Sequence, residues 1–91
     1  LLVSDSNNHR IVKIPNLLPP NSTQINLSTN LSNIQIIAGI TGRNGFDGDG
    51  AQALNATLNF PIGIFVDLNG DIIIGDSANN RIRRINQQGI I

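Results

Sequence analysis

The chain contains no cysteine, methionine, tryptophan or tyrosine, and no glutamate. Without cysteine, disulfides, thiolate nucleophiles and Cys-ligated zinc are excluded within the 91 residues, and the redox compartment is not legible. Without glutamate, six Asp carry all the negative charge against six Lys and Arg, so the formal net charge is zero. No overall field draws the chain toward nucleic acid or an anionic membrane surface. Aromatic residues are limited to Phe46, Phe60 and Phe65. The longest apolar runs, such as Ile72 to Ile74, fall far short of the ~20 residues of a membrane helix, so no membrane contact is expected from this segment. The opening "LLVSD" lacks the basic start and small-residue cleavage site of a signal peptide, and the expectation is a piece of a longer protein. The i, i+3, i+4, i+7 apolar spacing of a helix is missing throughout.

What is present is β-type. Sixteen Ile and fourteen Asn make about a third of the chain, and the apolar volume is carried by Ile, Leu and Val, whose stiff branched side chains suit strands. Short runs bounded by turn residues predict strands over 1–4, 10–14, 34–38, 62–67, 71–75 and 81–86, with another starting at Ile90. Between the second and third lies 15–33, where Pro19 and Pro20 forbid a regular central strand, and a surface excursion is expected. A second loop, 39–61, holds five of the nine glycines and joins two structural units. Asn69-Gly70 sits between two apolar runs, and a type I′ turn there would pair 62–67 with 71–75 antiparallel. A second hairpin at Asp76 to Asn80 then makes a three-stranded meander.

One phrase is written twice. "SDSNNHRIVKI" (Ser4 to Ile14) returns as "GDSANNRIRRI" (Gly75 to Ile85), 71 residues later. Identities fall at Asp5/Asp76, Ser6/Ser77, Asn8/Asn79, Arg10/Arg81, Ile11/Ile82 and Ile14/Ile85. The pattern P-x-G-I-x-V-D-x-x-G-D-I-x-I-x-D-S-x-N-x-R-I, from Pro61 to Ile82, closely resembles the NHL repeat, and "NGFDGDGAQALNATLNFPIGI" resembles the Gly-Asp-Gly linker that precedes blades in a subgroup of these repeats. The resemblance implies an all-β fragment of a β-propeller built from antiparallel four-stranded blades. The division it implies is 1–38 for the three C-terminal strands of one blade with 15–33 inserted, 39–61 for the inter-blade loop, and 62–91 for the first three strands and the start of the fourth of the next. A spacing of 71 exceeds the ~40 to 45 residues of a blade, and the two loops supply the excess, as insertions at blade edges and tips. Two blades cannot close a ring, so the isolated segment is expected to be marginally stable or to self-associate.

Candidate functional residues follow from the repeat and the loops. Asp5, Asn8 and Arg10, and their counterparts Asp76, Asn79 and Arg81, bracket the two turns, where carboxylates accept turn N–H groups and arginines brace turn or neighbour. His9 stands alone in its turn, opposite Asn80 in the second copy; no second His, no Glu and no Cys accompanies it as a metal ligand. Asp47 and Asp49 in "DGDG" are the candidate calcium carboxylates, lacking the remaining ligands of an EF-hand loop. Arg81, Arg83 and Arg84 form the one basic cluster, and the neutral chain without nearby stacking aromatics argues against RNA. Sequons at Asn21, Asn26, Asn30 and Asn55 are possible glycosylation sites and tilt the reading toward an extracellular or luminal location.

No nucleophile-base-acid set, phosphate-cradling loop before a helix or dinucleotide fingerprint is found, so catalysis and a bound cofactor are not expected of this segment. The resemblance implies a binding scaffold whose loops meet a protein or other ligand and whose sheets meet flanking blades of the same parent chain. Its alternative is a fragment of a metal-dependent propeller enzyme of the lyase or lactonase kind, which would need inward-facing His, Asp or Glu from several blades.

Overall fold

A computed structural model of the chain describes residues 1–14 and 34–91. The expected excursion over 15–33, with Asn21, Asn26 and Asn30, lies outside the described residues. Six strands form two antiparallel sheets: β1 (Leu2–Asp5), β2 (Arg10–Lys13) and β3 (Gln35–Gly39) in one, and β4 (Pro61–Val66), β5 (Ile72–Asp76) and β6 (Arg81–Ile85) in the other. Each sheet is a meander in chain order, and each strand lies within two residues of its expected position. The fold is all-β, a fragment of a β-propeller. Among the described residues the helical elements are three 3₁₀ turns, and no helix is long and apolar enough to cross a membrane.

The doubled phrase folds twice into one shape. Asp5 pairs with Arg10 at the end of the β1–β2 ladder, and Asp76 with Arg81 at the end of the β5–β6 ladder. A 3₁₀ turn follows each aspartate, Ser6–Asn8 and Ser77–Asn79, and ends on a left-handed residue, His9 at φ 56° and Asn80 at φ 55°. Both left-handed residues donate their amide to the serine carbonyl three residues back, at 3.1 Å.

The β4–β5 connection differs from the expected type I′ turn. Gly70 alone is left-handed, at φ +84°, and its amide bonds to the Asp67 carbonyl at 3.0 Å. The cause is the Asp67 side chain, whose Oδ1 accepts from the amides of Asn69 at 2.9 Å and Asp71 at 3.0 Å. That local cap holds Asn69 out of the left-handed region and leaves the reversal to glycine. At the far end, the Asn86 amide donates to the Ile90 carbonyl at 2.9 Å, and Ile90 forms an isolated bridge with Gln52.

One apolar core lies between the sheets. Ile11 and Ala38 enter it from the first sheet, Ile74 and Ile85 from the second, and Ala53 and Leu58 from the connecting loop. Residues 39–61 were expected at blade edges or tips; instead their apolar side chains are drawn inward, because Leu58, Ala53 and Ala56 bury fully where the two sheets leave room. Full burial of a side chain such as Leu58 contributes about 1.5–3 kcal/mol. The outward faces are different. Ile62, Phe65, Val66 and Ile82 of the second sheet and Ile34 and Ile36 at the first sheet's third strand are exposed.

Candidate functional site

The polar groups of the molecule concentrate at the two hairpin turns and the loop beside them. In the first turn, Asp5 Oδ2 accepts from Arg10 Nε at 2.6 Å and from Asn8 Nδ2 at 3.0 Å, and Arg10 Nη1 goes on to Thr41 Oγ1 at 3.0 Å. The hydrogen bond from Arg10, followed by that from Asn8, holds the Asp5 carboxyl below its ordinary pKa, because both donors favour the ionised form.

The second turn keeps the aspartate and the asparagine but changes the arginine. Asp76 is fully buried; its Oδ1 accepts the Asn59 amide at 2.7 Å, and its Oδ2 accepts Asn79 Nδ2 at 2.7 Å and Arg83 Nη1 at 3.2 Å. Arg81, the counterpart of Arg10, instead donates to the Asn79 carbonyl at 3.2 Å and lies over the Phe46 ring, 3.9 Å from its centroid. Arg83 stands where the first unit has Val12.

All five N–H groups of Arg83 are used. Nε and Nη2 reach Asp49 Oδ1 at 3.0 and 2.8 Å, Nη2 also reaches the Asp47 carbonyl at 3.0 Å, and Nη1 reaches the Thr57 carbonyl at 2.6 Å besides Asp76. The guanidinium also lies 4.8 Å from the centroid of Phe46. A charge this buried is tolerated because every donor is paired and two carboxylates face it.

The glycines of the loop make this wrapping possible. Gly48 is at φ +94°, and a Cβ there would stand 2.7 Å from Ala56 Cα, so only glycine lets the two backbone segments approach. Asp47 Oδ1 caps the turn by accepting the Gly48 amide at 2.8 Å, while Asp49 turns onto Arg83. Among the described residues no group of three His, Asp or Glu side chains converges where a metal could be held. The three clustered arginines diverge: Arg83 is interior, Arg81 lies on Phe46, and Arg84 pairs with Asp71 at 3.1 Å and Asp67 at 3.4 Å. An aromatic does stand beside that cluster, contrary to the sequence reading, but its face is taken by Arg81.

A seam joins the first turn to the start of β4. Ser4 Oγ donates to the Ile62 carbonyl at 2.6 Å, Ser6 Oγ to the Pro61 carbonyl at 2.5 Å, and His9 Nδ1 accepts the Phe60 amide at 3.0 Å. That last bond puts the ring proton of neutral His9 on Nε2. Neither the seam nor the role of Arg83 is visible in the repeat alignment. The one available signal was a charged residue at an inward position of β6, flanked along that face by Ile85 and paired in register with Ile74. Asn55 closes the 3₁₀ turn Ala53–Asn55 and is exposed, with Thr57 of its sequon largely buried.

Two meandering sheets that share a core, each carrying the Asp-Ser-x-Asn-x-Arg hairpin, define a segment of an NHL-type β-propeller. The sequence model of the Teneurin NHL domain matches residues 1–91, and the chain belongs to that family. It is 38% identical over 97 residues to Teneurin-4 of Homo sapiens, an alignment that takes in 100% of this chain and 3% of that protein.

Proposed function

We propose that the chain serves as part of an interaction scaffold, a propeller segment whose sheets pack on neighbouring blades and whose loops meet a protein partner. The observation that carries this reading is the division of its surfaces. Charged side chains at the turns are engaged by their own neighbours, as Arg83 is on Asp49 and Asp76, whereas large apolar side chains such as Leu54 and Leu68 stand exposed on loops. Exposed apolar groups on a rigid β-scaffold are a common basis of protein recognition. In this reading 1–38 supplies strands two to four of one blade, 39–61 the link, and 62–91 strands one to three with the turn into the fourth. Membership of the Teneurin NHL domain family supports it.

Photo-crosslinking amino acids placed at Leu54 and Leu68 of the full-length parent test the proposal. Specific adducts with a protein, competed by the unlabelled parent, are expected. Absence of such adducts, together with one zinc or calcium bound per propeller, would instead favour a metal-dependent enzyme.

A further inference from the structure

The seam between the first turn and β4 has an unfilled counterpart. Ser6 and His9, which hold the Pro61 carbonyl and the Phe60 amide, correspond to Ser77 and Asn80 in the second turn. The backbones of the two turns match within about a degree in φ at the left-handed residue, so these side chains leave the chain in the same directions. Ser6 and His9 are half-buried under the start of β4, whereas Ser77 and Asn80 are exposed. The contrast is larger for the apolar pair: Ile11 is 0% exposed in the core, and Ile82, its equivalent, is 75% exposed. Ile82 shares its face with Phe65, 65% exposed, through the β4–β5–β6 register.

Resting on the scaffold reading above, we propose that the outer face of the second sheet is a seat for one further unit of this same kind in the parent chain, and that Ser77, Asn80 and Ile82 specify how it docks. The occupant is a sheet whose first strand begins with an extended lead-in like Phe60-Pro61-Ile62. The Ser77 hydroxyl donates to the lead-in carbonyl that corresponds to that of Pro61, and Asn80 Oδ1 accepts the amide that corresponds to that of Phe60. Ile82 enters the new inter-sheet core as Ile11 enters the present one. Gly75 replaces Ser4, so the third bond of the first seam is missing from the second. What favours this occupant over an unrelated protein is continuity with an interface the molecule already builds: two of three polar contacts and the central isoleucine recur in place.

The absence of native cysteine allows a direct test by single-cysteine labelling. Ile82→Cys and Asn80→Cys are compared with Leu68→Cys, at the fully exposed hairpin tip, in the 91-residue chain and in the full-length parent with no partner added. The expected result is that maleimide labels the Ile82→Cys and Asn80→Cys variants at least tenfold more slowly in the parent than in the short chain, while the Leu68→Cys variant reacts equally fast in both. Labelling of the Ile82→Cys and Asn80→Cys variants as fast as that of Leu68→Cys in both proteins overturns the seat. Asn80→Cys serves where Ile82→Cys disturbs the fold. In the parent, Ser77→Ala is expected to lower the melting temperature as Ser6→Ala does, and a silent Ser77→Ala beside a costly Ser6→Ala overturns the assigned hydroxyl bond. Failure here is separable from failure of the scaffold reading: fast labelling of Ile82→Cys in a parent that still crosslinks a protein through Leu54 or Leu68 rejects the seat alone.

Discussion

Arg83 reaches Asp76 at 3.2 Å across the second sheet, both side chains buried, while the arginine that the repeat aligns with Arg10 lies outside on Phe46. The two hairpins therefore share a backbone and differ in wiring. In the first, the Asp–Arg pair is local and half-exposed; in the second, the pair is interior and ties the Gly-Asp-Gly loop to the sheet.

Removal of Arg83 leaves Asp76 buried with its charge uncompensated. Arg83→Ala is expected to cost about 3–5 kcal/mol, in the range of broken buried ion pairs. Arg81→Ala, losing an exposed bond and a stacking contact, is expected to cost about 1 kcal/mol or less. Urea unfolding midpoints of the two variants in one background make the comparison. An Arg83→Ala cost no larger than that of Arg81→Ala would rule out the interior role.

The first hairpin should be sensitive to acid. The folded Asp5 carboxyl lies below its unfolded value because Arg10 and Asn8 donate to it, so its contribution to stability is fully present above the unfolded pKa of about 3.9. That contribution is lost as pH falls through the folded pKa. Melting temperatures from about pH 6 down to about pH 2.5, a window that spans that unfolded pKa, are expected to drop less steeply for Asp5→Asn than for the unaltered chain, and equal slopes would contradict the assignment.

Gly48→Ala forces a Cβ to within 2.7 Å of the Ala56 backbone at a left-handed φ. A loss of about 1–3 kcal/mol or more is expected, as for other strained backbone positions. Gly50→Ala is the control, since it shares the left-handed φ at +86° but faces open space. Thermal melts should place Gly48→Ala clearly below Gly50→Ala.

Among the described residues Asn55 is the sequon asparagine, and it is exposed at the end of its 3₁₀ turn. Expression of the parent through a eukaryotic secretory pathway is expected to attach a glycan there. Peptide-N-glycosidase treatment in ¹⁸O water would mark Asn55 by mass, and Asn55→Gln should abolish the mark.

The strands were legible because β-branched runs end at Gly, Asn, Asp and Pro, and the doubled phrase announced two equal hairpins. Three-dimensional wiring was less so. Analogy with Arg10 assigns Arg81 to Asp76, but β6 turns alternate side chains to opposite faces, and it is Arg83 that points into the sheet interface with Ile85. Asn69-Gly70 looked like a type I′ turn because the dipeptide permits it; the carboxylate of Asp67, two residues before, chose another. The inward course of 39–61 was hidden by its glycines, which spell turning without saying where Leu58 and Ala53 come to rest.

Those two side chains have a consequence for geometry at larger scale. Ala53 and Leu58 act as a wedge between one sheet and the next, and the thickness of a wedge on one side of a stack is an angle. If every joint of a ring carried such a filler, the number of sheets needed to come full circle would depend on the volume of a few loop residues. Changes at positions 53 and 58 would then alter the circumference of the assembly, not only the firmness of one joint.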